Sequence, residues 1–166
     1  MFYSHNFENE HQEIDFLSYR EFIETIRIPG GREMEFRTFM RWFWGFRQST
    51  GLKDSHKVYE EFRGVITGMD ITKEYLTATD YSSLGVKQSI FLSSERETVY
   101  ALFTKYLSFL KEEGYYDINM YSHSLLESCS PVYDYIVVDE VQDFTNIQLH
   151  LILKSLVRPV NFILCG

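Results

Sequence analysis

The spacing of hydrophobic positions changes near residue 130. Before that point, apolar side chains recur at intervals of three and four, which is the period of one helical face. After it come two short apolar runs rich in β-branched residues, 133–138 and 160–164, separated by a helical pattern over 145–156. Runs of this kind are typical of buried strands in a parallel sheet, and a helix between them completes a β-α-β unit.

Capping residues and glycines divide the first part of the chain into helices. Ser18 and Glu21 have capping-box spacing and predict a helix through about Ile26. The strongest helical pattern is 94–113, with a second capping box formed by Ser94 and Glu97. Further helices are predicted at 36–43 with Thr38 as its cap, from Asp54 or Ser55 to Gly68, within 77–84, and from Asp117 to about Glu127.

Composition and charge narrow the class of protein. The 166 residues are 45% hydrophobic and 17% aromatic, enough for a packed core. The net charge of −8 argues against binding nucleic acid through overall charge, although it leaves room for a local groove. Cys129 and Cys165 have no metal-ligand or redox spacing and are expected to be free thiols. With no signal peptide and no apolar run near the ~20 residues that span a bilayer, we expect a cytoplasmic protein (nuclear in a eukaryote) without a membrane partner.

An acidic run directly follows the first predicted strand. A hydrophobic strand that ends in two acids is the Walker B pattern of nucleotide hydrolases, in which the first acid, Asp139, would hold Mg²⁺ and the second, Glu140, would activate water. Gln142 and Asp143 would lie in the loop, where an amide can sense the nucleotide and a carboxylate can pair with a base. The alternative is a solvated acidic turn in which Asp143 or Thr145 caps the next helix.

The string YDYIVVDEVQDFTNIQLHLILKSL, followed by VNFILCG, resembles motif II and the approach to motif III of UvrD/Rep-type superfamily 1 helicases. Upstream, VYEEFRGVITGMD, LTATDYSSLG and SSERETVYALFTKYLSFLKEEGYYDIN are similar to the helical insertion of the branch that includes large helicase-like proteins with tetratricopeptide and ankyrin repeats. The resemblance covers the chain from about Phe16. It implies an α/β fragment: a mainly helical region at 1–130, with an insertion-type subdomain at about 50–130, and a small parallel βαβ piece of a RecA-like P-loop motor domain at 131–166.

The same resemblance implies roles for matching positions. Asp139 corresponds to the magnesium ligand, Glu140 and Gln142 to catalytic residues, and Asp143 to a coupling residue. The implied cofactors are Mg²⁺ and ATP. The implied partners are single-stranded or duplex nucleic acid, with DNA expected, and the remaining helicase domains.

One element of the family is missing from the sequence. A phosphate-binding loop of the form G-x-x-x-x-G-K-[ST] is absent, and Gly30-Gly31 is followed by Arg-Glu. Without backbone amides and a lysine to hold the phosphates, this chain alone is expected to bind no nucleotide and to hydrolyse no ATP. The sequence also ends before the residues that follow motif III's glycine in the family, so we expect the middle of a first motor domain.

Two stretches compete for the Thr-Phe-type motif that precedes the insertion in the family and contacts single-stranded DNA. One is 17–22, which contains Ser18 and Tyr19, and the other is 36–39, which contains Thr38. Spacing slightly favours the first.

Arginines and aromatic residues also interleave over 32–47. This composition suits single-strand binding, with Arg37 and Arg41 for phosphates and Trp42 for a base. The alternative is an amphipathic helix with core aromatic residues and solvated arginines, which leaves Trp42 and Trp44 as the surface candidates.

A second class of function stays open. In it, the chain is a non-enzymatic helical docking module that binds a protein or single-stranded nucleic acid, and Asp139 and Glu140 are idle. The two classes differ in whether a phosphate-binding loop lies elsewhere in the parent polypeptide.

Overall fold

The computed structural model describes residues 13–166, and within them the chain is mostly helical with two small parallel sheets. This confirms the predicted α/β class with a helical majority. In chain order the elements are α1 (Tyr19–Ile26), β1 (Arg32–Glu33), α2 (Phe36–Trp44), α3 (Arg47–Thr50), α4 (Ser55–Glu60), a π-helical turn (Glu61–Ile66), α5 (Ala78–Ser82), α6 (Arg96–Glu113), β2 (Tyr115–Tyr116), α7 (Ile118–Leu125), β3 (Ile136–Val138), a 3₁₀ turn (Val141–Asp143), α8 (Asn146–Lys154) and β4 (Phe162–Leu164).

The predicted β-α-β unit is present at the end of the chain. Strands β3 and β4 pair in parallel with Val137 opposite Ile163, and α8 connects them. Helices cover only one face of this sheet, because Val138 is 5% exposed whereas Val137 and Ile163 are 61% and 47% exposed. The prediction of two fully buried strands is therefore wrong for the other face. The second sheet, β1 with β2, has two residues in each strand and no periodic signal in the sequence.

Several predicted caps are confirmed. Ser18 forms its capping box with Glu21, and the side chains of Asp54 and Asp117 cap α4 and α7. Thr77, which was not predicted as a cap, forms a capping box with Asp80 at the start of α5. Thr38 does not cap α2, because that helix already begins at Phe36 after Glu35.

The predicted cap at Ser94 is also wrong. Helix α6 begins at Arg96, and the preceding Glu95 uses its carboxylate to accept from the backbone N–H of Leu92 at 3.1 Å. The guanidinium of Arg96, only 2% exposed, donates to the backbone carbonyls of Ser82 and Gly85 at 3.3 and 3.2 Å. The start of α6 is thus fixed by a buried arginine bound to the preceding loop.

Two hydrophobic clusters form the interior. The larger lies among α2, α4, the π-helical turn and α6, where the rings of Phe39 and Phe62 meet edge to face at 5.7 Å. The smaller lies between β3 and three helices, and it comprises Phe22 and Ile23 of α1, Leu125 of α7, Cys129, Val138, and Leu151 and Ile152 of α8. The sheet carrying the acidic run therefore packs on helices from both ends of the chain.

A buried amide joins the two clusters. The side chain of Asn119, fully buried in α7, donates to the backbone carbonyl of Arg63 at 2.7 Å and to Thr67 Oγ1 at 3.1 Å. Its oxygen accepts from Thr145 Oγ1 at 2.8 Å. Beside it, the carbonyl of Gly68 accepts from Ile147 N at 3.2 Å, at the start of α8.

The close approach at Gly68 predicts a stability effect. A Cβ added there would lie 2.8 Å from Thr145 Cβ and would also meet a backbone carbonyl, so Gly68→Ala should lower the free energy of unfolding by about 1–3 kcal/mol. Gly64, four residues earlier, has no atom within 4 Å of such a Cβ. Gly64→Ala should therefore raise stability by up to about 1 kcal/mol, since alanine favours helix. Urea unfolding of both variants measures the difference, and equal effects would contradict the close packing at Gly68.

Asp117 makes stability depend on pH. Burial raises the pKa of its carboxyl group above the ordinary 3.8, against the opposing effect of hydrogen bonds from Met120 N, Tyr106 Oη and Asn119 N. The folded chain then holds this proton more tightly than the unfolded chain, so the Asp117 contribution to the free energy of unfolding should fall as pH rises from about 4 through the raised pKa.

The variant Asp117→Asn isolates this contribution, because its amide oxygen keeps the cap on α7 while the titrating group is lost. Urea unfolding of both proteins from about pH 4 to about pH 7 should give a stability difference that shifts in favour of the variant as pH rises. A difference that does not change with pH would rule out the raised pKa.

Candidate functional site

The acidic run begins where β3 ends, and backbone hydrogen bonds fix its position. The carbonyl of Val138 accepts from Cys165 N, and Val141 N donates to the carbonyl of Cys165, both at 2.8 Å. The loop that carries Asp139 and Glu140 is therefore tied to the residue that follows β4. In open α/β sheets, this edge, at the carboxyl ends of the strands, is where ligands bind.

The backbone turns sharply at Glu140. Its φ of 49° lies in the left-handed region, and it is the only non-glycine residue among 13–166 with a positive φ. This conformation costs about 1 kcal/mol or more for a residue with a Cβ. The N–H of Glu140 donates to Asp139 Oδ1 at 3.0 Å, which holds the first carboxylate against the turn.

Gln142 completes the group on this side of the loop. Its Nε2 donates to Glu140 Oε2, and Gly166 packs against its amide so closely that a Cβ on the glycine would collide with Gln142 Oε1. The structure thus brings Asp139, Glu140 and Gln142 together at the end of β3. The side chain of Asp143, in contrast, lines a different cavity from Asp139.

The donor set fits a hard cation that retains most of its water. Asp139 and Glu140 are exposed, and Gln142 adds an amide oxygen. Mg²⁺ typically takes one or two carboxylates and fills its remaining positions with water and phosphate oxygens. Within residues 13–166, no group of three or more His, Cys, Asp or Glu side chains lies close enough together to hold a metal ion.

An open cavity of about 480 Å³ lies beside Asp139. Its walls are largely apolar and include the uncovered face of β3. Phe16, Tyr135 and Val137 line it and are 84%, 55% and 61% exposed. Apolar side chains this exposed and this close together mark a surface suited to further packing.

The predicted nucleic-acid residues near the N-terminus have structural partners. Ser18 exchanges hydrogen bonds with Glu21 in the cap of α1. The hydroxyl of Tyr19 pairs with Ser122 Oγ at 2.6 Å, and burial raises the pKa of this phenol. The polar atoms of both residues therefore already serve the fold.

In the arginine-rich stretch, the arginines of α2 are exposed, whereas Trp42 packs against other aromatic rings. Arg37 and Arg41 are exposed on α2, and Arg41 Nη2 donates to Thr38 Oγ1 at 3.3 Å. Trp42 is half-buried rather than fully exposed, since its ring packs 5.6 Å from Tyr106 and 5.0 Å from Phe46.

The exposed ring in this stretch is that of Trp44. It is 68% exposed, with the guanidinium carbon of Arg47 5.2 Å from the ring centroid. Trp44 therefore offers the stacking surface that the sequence analysis assigned to Trp42.

A second cavity, of about 610 Å³, contains polar residues that the sequence analysis missed. It runs between α1, α4 with the π-helical turn, and the start of α8, and we call it the seam cleft. Arg63 and Gln148 line it, and their Nε and Nε2 atoms are shielded from solvent and have no hydrogen-bond partner in the described part of the chain. Thr145-x-x-Gln148 has capping-box spacing and could have located the glutamine, because its Oε1 accepts from Thr145 N. No sequence signal marked Arg63.

Comparisons of the chain with protein-family models, with curated proteins and with solved structures find no match. Among residues 13–166, no helix is both long enough and apolar enough to cross a bilayer. The functional assignment therefore depends on the geometry of the acidic loop and on the chemistry that it permits.

The left-handed backbone at Glu140 can be tested by substitution. Glu140→Gly relieves the strained φ, whereas Glu140→Val places a β-branched side chain in it. We expect the valine variant to be less stable than the glycine variant by about 1–2 kcal/mol in urea unfolding. Equal stabilities of the two variants would show that residue 140 does not adopt this turn in solution.

Proposed function

We propose that this chain is a segment of an ATP-dependent nucleic-acid motor of the superfamily 1 helicase type. In this proposal, residues 131–166 supply the Walker B strand of the first motor domain. The observation that carries it is the position of Asp139 and Glu140 directly after a strand that pairs in parallel with the next strand of a β-α-β unit. An acidic turn elsewhere on the surface would not need to be tied by backbone hydrogen bonds to the end of a neighbouring strand.

Each polar residue of the loop has a distinct part in the proposal. Bound Mg²⁺ and ATP supply the electrophilic phosphorus and neutralise its oxygens. Asp139 would hold Mg²⁺ from the strand end, and the N–H of Glu140 donates to Asp139 Oδ1 and so fixes this carboxylate. Glu140 takes a proton from water as general base. Gln142 donates to the Glu140 carboxylate and so orients it before reaction.

The uncovered sheet face supports a larger assembly. Val137, Ile163 and the apolar cavity beside Asp139 leave one side of β3 and β4 open, whereas parallel sheets normally carry helices on both faces. We infer that further strands and helices of the motor, including a phosphate-binding loop, cover this side. Nucleic acid, with DNA as the expected substrate, would contact the helical region, where Arg37 and Arg41 are exposed.

The test uses the full polypeptide in which this sequence occurs with a phosphate-binding loop. Glu140→Gln should lower kcat for ATP hydrolysis stimulated by single-stranded DNA by about 10²-fold or more, because it removes the general base. ATP affinity should change little, since the glutamine leaves the metal ligand in place. Residues 1–166 alone should show no turnover with Mg²⁺, ATP and DNA.

Three results would contradict the proposal. The first is hydrolysis by residues 1–166 alone that is lost in Glu140→Gln. The second is full activity of the Glu140→Gln variant of the longer polypeptide. The third is a parent polypeptide without a phosphate-binding loop. As a matched control, Glu127→Gln alters an exposed glutamate outside the loop and should leave kcat unchanged.

A non-enzymatic docking module is the second candidate function. The seam cleft favours it, because among residues 13–166 the buried side-chain donors without partners belong to residues that line this cleft and not to residues beside Asp139. Under this alternative, Glu140→Gln would change no measurable property of the parent protein, while substitutions in the seam cleft would change its binding.

A further inference from the structure

Two residues that line the seam cleft carry donors without a partner within residues 13–166. Gln148 is 2% exposed, and its Nε2 makes no hydrogen bond in this part of the chain, although its Oε1 is fixed by the cap on α8. The Arg63 Nε is likewise buried and has no partner there. Buried polar groups are nearly always paired, so two such donors beside one cleft point to an acceptor supplied from outside, which would reach them when the atoms that shield them move.

The walls of the cleft are aromatic on both sides. Tyr19 and Phe144 meet edge to face at 5.7 Å on one side, and Phe36 and Tyr59 lie 5.3 Å apart on the other. The Tyr59 hydroxyl donates to the carbonyl of Met34 at 3.3 Å, so it is already used. The walls can therefore pack against apolar atoms, and the hydrogen bonds to an occupant would come from the two buried donors.

The charge around the cleft is predominantly negative. Its lining includes four carboxylate residues and two arginines. Arg20 is taken by Glu33 and Glu35, at 2.6 and 2.9 Å. This leaves Glu60, Asp143 and Arg63, so the remaining charges are two negative and one positive, and none of the three forms an ion pair within residues 13–166.

These features select the kind of occupant. A phosphate backbone would meet the buried donors only by passing unpaired carboxylates of the same sign, which disfavours nucleic acid. A peptide offers carbonyl oxygens for the buried donors, apolar stems for the aromatic walls and, if basic, cations for Glu60 and Asp143. The volume of about 610 Å³ accommodates a short segment of extended chain.

We propose that the seam cleft binds a basic segment of a partner protein. A backbone carbonyl of that segment accepts from Arg63 Nε and Gln148 Nε2, and a lysine or arginine side chain pairs with Asp143 and Glu60. This site goes beyond the motor function and uses neither Asp139 nor Glu140. Its occupant would bridge α1, the π-helical turn and α8.

The experiment uses residues 1–166 labelled with ¹⁵N and the capped peptide acetyl-Ala-Arg-Ala-Arg-amide. Titration should shift the NMR signals of the Gln148 side-chain amide and of Arg63 Nε–H, because both donors gain an acceptor. The matched peptide acetyl-Ala-Gln-Ala-Gln-amide should bind about threefold or more weakly, since it lacks the cations. No nucleotide is present, so the result is independent of the proposed hydrolysis.

Two single substitutions test the proposed contacts with the peptide. Arg63→Lys keeps the charge but removes the Nε donor, and Asp143→Asn keeps the shape but removes the carboxylate. Each should weaken binding of the arginine peptide about threefold or more. The controls Arg158→Lys and Asp134→Asn make the same changes at exposed sites outside the cleft lining and should leave affinity unchanged. Within residues 13–166, the side chains of Arg63 and Asp143 make no hydrogen bond and no ion pair, so both variants should fold.

Three outcomes would overturn the proposal. One is equal binding of the arginine and glutamine peptides. Another is an arginine peptide that leaves the Gln148 amide signals unmoved. The third is oligothymidylate that shifts the same signals and displaces the peptide, which would assign the cleft to single-stranded nucleic acid.

Discussion

The arrangement of the two hydrophobic clusters relative to each other depends on the buried side-chain amide of Asn119. One nitrogen serves the carbonyl of Arg63 and the hydroxyl of Thr67, and the oxygen serves Thr145 at the start of α8. An amide that satisfies three partners on two other segments fixes their distances more narrowly than apolar packing does, because each bond is directional and a lost bond leaves a buried group unpaired. The position of α8, and through it of β3 and the acidic loop, follows from this contact.

The acidic loop combines a fixed backbone with accessible side chains. Hydrogen bonds between Val138, Val141 and Cys165 hold the main chain to two strand ends, and the strained φ at Glu140 sets the direction of the turn. The carboxylates themselves stay exposed to solvent. The backbone of this loop is therefore fixed by the protein, while its side chains remain accessible from solvent.

Local signals in the sequence predicted most of the helices, because capping side chains act over three residues. Ser18, Asp54 and Asp117 all cap as expected. The errors arise where distant residues decide. Arg96 fixes the start of α6 by donating to carbonyls of a preceding loop. The ring of Trp42 packs against Tyr106. Val137 is exposed because no helix among residues 13–166 covers its face of the sheet. At the site, the strand pattern in the sequence was enough to place Asp139, Glu140 and Gln142 together. The seam cleft could not be found from periodicity, because two of its residues, Arg63 and Gln148, lie 85 positions apart in the sequence.

The bare face of the β3–β4 sheet also governs how the polypeptide behaves when it is concentrated. Exposed valine, isoleucine and tyrosine side chains attract one another at short range, and a two-stranded sheet has two unpaired edges that can extend the pairing. Opposing them is the repulsion between molecules that each carry a net charge of −8. That repulsion reaches only about 10 Å at an ionic strength of about 0.1 M and less in stronger salt. The colloidal stability of residues 1–166 therefore depends on the balance between attraction through the exposed apolar sheet face and repulsion through the screened negative charge.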